Sequence, residues 1–209
     1  MSLHRATLLA LLLSCSACFS QDPVGFTIDC SKSSRITRAT TAADLIKMFG
    51  GSNTINGQIQ VGEGMTEPGT IVFPGHPNKR LDITWGKRTK EKPMVVRISS
   101  QDSVWRTFGG IGMGASLKDI EKMNGKPFTL AGFAFDYAGT VTSWRGGKIG
   151  RTENGCRILL RLRPSDADVS TKKSFYDKVQ GDHAFLSSNP AMRALNPRVY
   201  EIVVAFWNP

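Results

Sequence analysis

A short helical pattern occurs twice in this chain, at residues 41–50 and again at residues 116–125. Each copy begins with a hydroxyl side chain followed three residues later by Asp, the capping-box pattern that satisfies free backbone N–H groups at a helix start. Apolar side chains follow at helical spacing, and a Gly ends each copy, as helix C-termini favour. These apolar side chains are Ala42, Leu45 and Met48 in the first copy and Leu117, Ile120 and Met123 in the second. We therefore predict an equivalent amphipathic helix in each half of the chain.

The predicted strands that follow the two helices also correspond. Residues 81–85 alternate apolar and polar side chains, and residues 132–137 do so less strictly. Residues 140–144 are predicted to pair with residues 132–137 across a turn at Ala138-Gly139. Trp85 ends the first of these segments and Trp144 ends the last, and each Trp leads into a glycine-containing basic loop. The basic side chains of the two loops are Lys87, Arg88, Arg145 and Lys148. We predict that the order of helix, strands, Trp and basic loop occurs in both halves.

Other predicted strands lie at residues 93–98, 157–163 and 199–207. The last of them is apolar on both faces except at Glu201, which is typical of a central strand covered on both sides. Residues 165–197 are predicted to form loops with short helices. The sequence therefore predicts an α+β fold, with antiparallel sheet and short helices.

The length of the chain, 209 residues, suits one domain. We predict a single α+β domain over residues 21–209, with pseudo-repeat halves at about 35–108 and 109–209. The two halves would be arranged in tandem, each pairing its helix with part of the sheet.

Two segments resemble known proteins. Residues 113–120 and 124–127 are similar to the G-x-[ST]-x-x-x-[VIL]…G-x-P helix of the beta-lactamase-inhibitor-like (BLIP-like) and SmpA/OmlA-type bacterial envelope modules. Residues 136–144 resemble a D-Y-x-G-x-V-x-S-W segment of uncharacterised exported bacterial proteins. The first resemblance implies helices paired with a small antiparallel sheet, sometimes in tandem, that binds other proteins without catalysis. Residues 165–209 have no counterpart in a minimal two-module pattern.

The N-terminus has the features of a secretory signal peptide. Arg5 supplies a positive charge, residues 6–13 are apolar but too few to span a bilayer, and small residues follow at 14–20. We predict a signal peptide at residues 1–20 and an exported protein, periplasmic or secreted. The alternative is a lipobox, in which Cys15 or Cys18 carries a lipid anchor and supplies the protein's link to a membrane.

Cleavage after residue 20 leaves two cysteines, Cys30 and Cys156. Export to an oxidising compartment favours a disulfide between them, and two separate buried thiols are the alternative. The predicted signal holds one Arg and no acid, so the mature chain has 26 basic and 17 acidic residues and a formal charge of 26 − 17 = +9. The partner predicted for a basic exported protein is an acidic protein or an anionic envelope component rather than nucleic acid.

Residues suited to catalysis or metal binding are sparse. His76 and His183 have no second His or Cys at metal-ligand spacing, so neither a metal site nor a cofactor is predicted. Glu63 lies between two glycines, which favours a turn but also allows a ligand to approach the backbone. The glycine-rich residues 109–114 lack the Lys-[ST] of a phosphate-binding loop and are predicted to form a turn before the second helix.

Aromatic side chains are the better indication of a binding surface. Phe133, Phe135 and Tyr137 are predicted to share one strand face, and Trp85 and Trp144 to end neighbouring strands. If a helix covers that face, these side chains belong to the core. If the face is open, they form an aromatic platform with a basic rim, a composition typical of binding hot spots. The rim residues would be Lys87, Arg88, Arg145 and Lys148.

The sequence predicts an exported, non-catalytic binding protein that engages a protein or an anionic partner through this face and its basic loops. The alternative is an enzyme that acts on cell-wall or polysaccharide material, with Glu63 or His183 in its active site. A purely structural envelope component is a third hypothesis.

Overall fold

The computed structural model describes residues 25–30, 34–62, 64–86, 92–150 and 156–206. The predicted signal peptide, with Cys15 and Cys18, lies outside the described residues, as do Glu63, Lys87 and Arg88. The described residues form short helices and antiparallel sheets, which confirms the predicted α+β class.

Five α-helices, four single-turn 3-10 helices and eleven strands form the regular structure of the described residues. The α-helices are α1 (Ala42–Phe49), α2 (Leu117–Asn124), α3 (Asp166–Thr171), α4 (Lys173–Tyr176) and α5 (Pro190–Leu195). The strands are β1 (Thr54–Gly62), β2 (Met65–Val72), β3 (Leu81–Trp85), β4 (Pro93–Ile98), β5 (Arg106–Thr107), β6 (Ile111–Gly112), β7 (Thr129–Ala131), β8 (Val141–Ser143), β9 (Cys156–Arg163), β10 (Ala184–Leu186) and β11 (Arg198–Phe206). None of these helices is long and apolar enough to cross a membrane.

The main sheet has six strands in the order β1-β2-β3-β4-β11-β9, and every neighbouring pair is antiparallel. Alternate side chains, such as Ile83, Val96 and Ile202, are fully buried in the core. The intervening side chains, such as Val95 and Val203, are only partly buried, because successive side chains of a strand point to opposite faces. The sheet therefore has one covered face and one more open face.

Strand β11 lies inside the sheet, between β4 and β9, so the predicted central position is correct. The predicted cover on both sides is not, because Val203 and Ala205 on the open face are only partly buried. The carboxylate of this strand, Glu201, forms ion pairs with Arg97 of β4 and Arg161 of β9. A buried carboxylate is costly unless it is paired, and two arginines from the flanking strands supply that compensation.

Both predicted helices form, and both carry a complete capping box. The Thr41 backbone N–H donates to Asp44 Oδ2 at 2.8 Å in α1, and the Ser116 N–H donates to Asp119 Oδ2 at 3.1 Å in α2. Gly50 and Gly125 follow the helices with φ of 87° and 78°, a region that only glycine enters readily.

The predicted apolar stripes are correct at Leu45, Leu117 and Ile120, which are fully buried. Met48 and Met123 are partly buried, whereas Ala42 is exposed. Ala42 and Leu117 stand at the equivalent first positions of their helices, and only the longer side chain, Leu117, reaches the core.

Cys30 and Cys156 form a disulfide, with Cα atoms 5.4 Å apart. The bond ties the segment before α1 to the first residue of β9 and closes a loop with a sequence separation of 126. In the chain-entropy model, a loop of this size contributes about 5 kcal/mol to the free energy of unfolding. The disulfide alternative is thus the correct one, and it links the segment that precedes the first half to the second half.

The predicted strand at residues 132–137 is wrong. The strand ends at Ala131, Phe133 forms only an isolated bridge with Gln180, and bends and turns occupy residues 134–139 beside a small sheet of order β10-β7-β8. Close backbone contacts impose this path, because a Cβ at Gly139 would stand 1.7 Å from the Leu162 carbonyl oxygen. The corresponding strand of the first half, Leu81–Trp85, belongs to the six-stranded sheet, so the two halves share a helix but differ in their strands.

Candidate functional site

The end of α2 organises a basic loop through one buried side chain, Asn124, which is 1% exposed. Its amide nitrogen donates to the carbonyl oxygens of Lys126 at 2.9 Å and Trp144 at 3.1 Å. Its amide oxygen accepts from the N–H of Ile149 at 3.3 Å, and its backbone carbonyl accepts from the N–H of Lys148 at 2.9 Å. Asn124 therefore holds both ends of the segment that carries Arg145 and Lys148.

Glycine makes this close approach possible. A Cβ at Gly147 would stand 2.1 Å from Asn124 Oδ1, and a Cβ at Gly150 would stand 2.6 Å from Trp144 Cβ. Arg145 has a φ of 52°, a strained value for a non-glycine residue, at the point where the chain turns away from β8. The loop backbone thus packs against Asn124 and Trp144, while the Arg145 side chain is exposed.

Trp144 follows β8, and its side chain packs against β9. Its ring lies 5.4 Å from that of Phe128, and its indole N–H donates to the carbonyl oxygen of Ile158 at 3.3 Å. Arg161 of β9 forms an isolated antiparallel β-bridge with Thr140, the residue before β8. Beyond that bridge β8 and β9 diverge, and a cleft opens between them.

The cleft has a volume of about 490 Å³. Two exposed guanidinium groups, Arg145 and Arg157, line it, and no acidic or histidine side chain is among its lining residues within the described parts of the chain. The remaining lining residues are Thr140, Val141, Thr142, Ser143, Trp144, Gly146, Gly150, Ile158 and Leu159. The Lys126 amine lies 4.0 Å from where a Cβ of Gly146 would stand, and this adds positive charge at the rim.

A second groove, of about 720 Å³, lies at the end of β3 beside Trp85. The indole N–H of Trp85 donates to the Thr70 hydroxyl at 3.0 Å, and that hydroxyl lies 3.5 Å from Asn56 Oδ1. The groove is also lined by Gln58 and by one carboxylate, Glu67. Its described lining therefore carries no positive charge, in contrast to the cleft beside Trp144.

The structure does not assemble the predicted aromatic platform. Phe133 is 2% exposed and stacks on Tyr176 at 5.8 Å, so it belongs to the core. Phe135 and Tyr137 are exposed, but they lie in turns rather than on a strand face. The prediction that these three side chains share one face is wrong, because the strand ends before them.

Trp85 and Trp144 do not end neighbouring strands either. Trp85 belongs to the six-stranded sheet, whereas Trp144 follows a strand of the three-stranded sheet. Of the nine predicted binding residues, the cleft brings together Trp144 and Arg145, with Lys148 held in the same loop. Lys87 and Arg88, which follow Trp85 in the chain, lie outside the described residues.

Residues 136–144, which carry the D-Y-x-G-x-V-x-S-W resemblance, are hydrogen-bonded to β9. The Asp136 carbonyl oxygen accepts from Arg161 at 2.8 Å, and the Gly139 carbonyl oxygen accepts from the N–H of Leu162 at 2.9 Å. The segment therefore has a structural role at its Asp and Gly positions and a cleft-lining role at its Trp.

Sequence reasoning missed Asn124 and Arg157. A signal for Asn124 was present, because the duplicated helix has Phe49 at the equivalent position and a polar side chain there breaks the correspondence. Arg157 gave no local signal, since it enters the cleft only through the pairing of β9 with distant strands.

The acid–base candidates remain dispersed. His76 and His183 are exposed, and the described residues contain no group of three His, Cys, Asp or Glu side chains that could hold a metal ion. The Asp168 carboxylate pairs with Lys172 at 2.6 Å and accepts from the hydroxyl of Ser165, the residue that caps α3, and these contacts lower the pKa of Asp168. Gly109, Gly110 and Gly114 adopt positive φ in the turns before α2, in line with the predicted turn.

Comparison of the chain with protein-family models, with curated proteins and with solved structures finds no match.

Proposed function

We propose that this protein is an exported, non-catalytic binding protein whose cleft between β8 and β9 holds an anionic group of a partner. The observation that carries the proposal is the charge of that cleft, in which Arg145 and Arg157 stand beside Trp144 with no acid among the described lining residues. A disulfide between Cys30 and Cys156 is compatible with export.

The arrangement suits binding to carboxylate or phosphate groups. A guanidinium group presents a planar fork of donors that matches such anions, and an aromatic side chain beside it adds apolar contact area. Asn124 fixes the backbone on either side of Arg145, so part of the ordering cost of binding is met during folding.

The same cleft offers little for catalysis. Its hydroxyl groups, from Thr140, Thr142 and Ser143, have no His or carboxylate beside them among the described lining residues to act as a general base. A hydroxyl without an activating base is a weak nucleophile, which supports binding over chemistry at this site.

The test uses a decaglutamate peptide as a model anionic partner and isothermal titration calorimetry as the measurement. We expect binding that weakens as salt is added and that falls at least roughly tenfold in Arg145→Ala/Arg157→Ala. Decaglutamine, of equal length and no charge, is expected not to bind. Vesicles of phosphatidylglycerol, compared with phosphatidylcholine, show whether a lipid phosphate takes the same site.

The matched control is Arg38→Ala/Lys47→Ala, which removes the same charge from two exposed side chains. Lys47 lies on α1, which contacts β1 and β2 at the sheet edge opposite β9. Equal loss of binding in both double variants would contradict the proposal, because it would indicate a response to net charge rather than to the cleft.

A second candidate function is the binding of an uncharged saccharide in the groove beside Trp85. The indole N–H there is already donated to Thr70, so the ring offers the groove its apolar carbon surface, while Asn56 and Gln58 offer amide groups. Sugars present both C–H surfaces and hydroxyl groups, which match this combination. Titration with cellohexaose tests it: we expect binding that is lost in Trp85→Ala and kept in Trp144→Ala, and equal binding by both variants would refute it.

A further inference from the structure

Strand β1 forms a long edge of the six-stranded sheet with no charged side chain. Its nine residues, Thr54–Gly62, contain neither Lys, Arg, Asp, Glu nor Pro, and the uncharged stretch begins earlier, at Met48. Within the described residues, no strand pairs with its outer side. Proteins usually protect such edges with charges, prolines or bulges, because an open edge invites another strand to pair with it. The register of β1 against β2 shifts between Gln60 and Gly62, and residues 54–60 pair regularly with β2.

The free edge has a definite set of backbone groups. The Asn53 carbonyl accepts from the Phe73 N–H at 2.7 Å, so the odd-numbered positions of β1 direct their backbone groups toward β2. Antiparallel ladders alternate, and the even-numbered positions therefore direct N–H and C=O groups outward. These positions are Thr54, Asn56, Gln58 and Gln60, and the last three have exposed side chains.

The edge is complementary to itself. When two copies of β1 are laid antiparallel about a two-fold axis at Gln58, the outward-facing positions pair with one another, 58 with 58 and 56 with 60. The amide side chains of Gln58 then meet across the axis, and Asn56 meets Gln60. On the other face Ile55 meets Val61, and Gly57 meets Ile59. In this register the amide side chains meet one another, Ile55 meets an apolar partner, and no pair joins like charges.

Within the β1–β2 hairpin, isoleucine side chains already pack over glycines on the face where the dimer register would place Gly57 opposite Ile59. Gly57 and Gly69 are a cross-strand pair, and an isoleucine side chain covers each of them. A Cβ at Gly57 would stand 2.8 Å from Ile71 Cδ1. A Cβ at Gly69 would stand 2.3 Å from Ile59 Cδ1. Ile55, by contrast, is 43% exposed and lacks such cover. A second copy would bring Val61 against it.

We infer that two copies of this chain associate through β1, antiparallel about a two-fold axis at Gln58, to make one continuous twelve-stranded sheet. The symmetry is closed, because each copy has one such edge and the same residues serve on both sides. The opposite edge of the sheet, β9, is partly covered by residues 139–140 and carries Arg157, Arg161 and Arg163, so like charges disfavour its self-pairing.

The test measures the mass of the disulfide-bonded protein by sedimentation equilibrium over a range of concentrations. We expect a dimer whose dissociation constant rises roughly tenfold or more in Gln58→Lys, because the substitution places two positive charges opposite each other at the axis. The control is Thr66→Lys, which adds the same exposed charge one strand further in and is expected to leave the dimer intact.

A charge-reversal mixture tests the axis itself. Gln58→Glu alone is expected to weaken the dimer as Gln58→Lys does, and an equimolar mixture of the two variants is expected to restore it, since opposite charges then face each other. A protein that stays monomeric at every concentration would overturn the inference. So would a dimer indifferent to substitution at Gln58, or two weakened variants that do not rescue each other.

Discussion

The two copies of the capped helix carry chemically different side chains at the position just before the final Gly. At that position α1 has Phe49 and α2 has Asn124, each followed by Gly. Phe49 packs into an aromatic cluster, with ring centroids 5.5 Å from Phe73 and 6.2 Å from Trp105. Asn124 instead forms hydrogen bonds that hold a basic loop. The same local pattern thus ends in a purely structural contact in one half and in support for a candidate site in the other.

The cleft beside Trp144 and the groove beside Trp85 also differ, in the charge of the residues that line them. Each is lined by a Trp at the end of a strand, but Arg145 and Arg157 line the cleft beside Trp144, whereas Glu67 is the charged residue in the described lining of the groove beside Trp85. Correspondence of the helices therefore does not carry over to the chemistry of the surfaces beside them. Loops and strand pairing decide that chemistry.

The largest effect is expected from Phe49→Ala. Removal of a buried ring leaves a cavity among Phe73 and Trp105, and we expect the free energy of unfolding, measured by urea denaturation, to fall by about 4 kcal/mol. Variant protein that remains folded should bind decaglutamate as the native protein does, because α1 is remote from the cleft. Loss of that binding in folded protein would show that the two regions are coupled.

A smaller loss of stability, together with a loss of binding, is expected from Asn124→Ala. The substitution leaves the Trp144 carbonyl, the Lys126 carbonyl and the Ile149 N–H without their side-chain partner, at a cost of about 3 kcal/mol. Decaglutamate affinity should fall because the loop with Arg145 is no longer held.

The control for Asn124→Ala is Asn53→Ala. The Asn53 amide makes one hydrogen bond, to the Phe49 carbonyl oxygen at 3.0 Å, and is partly buried. We expect a cost of about 1 kcal/mol and unchanged affinity for the peptide. Equal effects of the two substitutions on peptide affinity would contradict the proposal that Asn124 holds the Arg145 loop in place for binding.

The smallest effect is expected from acid titration of the two capping boxes. Hydrogen bonds from the backbone and side chain of Thr41 lower the pKa of Asp44, and those from the side chain and backbone of Ser116 lower the pKa of Asp119. A carboxyl with a lowered folded-state pKa stabilises the fold above its unfolded pKa of 3.8, and this contribution is lost as the pH falls through the folded value.

Stability should therefore decline below about pH 4, and Asp119→Asn should flatten this decline more than Asp44→Asn. The reason is that Ser116 is buried, whereas Thr41 is only partly buried. Urea denaturation as a function of pH measures the effect. An equal pH dependence in native protein and in both variants would contradict it.

Much of the secondary structure could be predicted because its causes are local. Capping boxes join residues three apart, and strand alternation is visible over five or six residues, so α1, α2 and β3 follow from the sequence. The prediction of a strand at residues 132–137 is wrong, because close backbone contacts impose turns there. Gly132 lies against the carbonyl oxygen of Gly181, and Gly139 lies against that of Leu162. Nothing in that segment's own alternation reveals those contacts.

The chain by itself determined the two capped helices, the class of the fold and the absence of charge along Thr54–Gly62. Only the tertiary structure decided that Cys30 meets Cys156, that Phe133 is buried, and that Arg157 stands beside Trp144. The physical reason is range. Helix caps and side-chain alternation depend on neighbours along the chain, whereas clefts, disulfides and sheet edges depend on which remote segments pack together, and that is settled by the burial of the whole core.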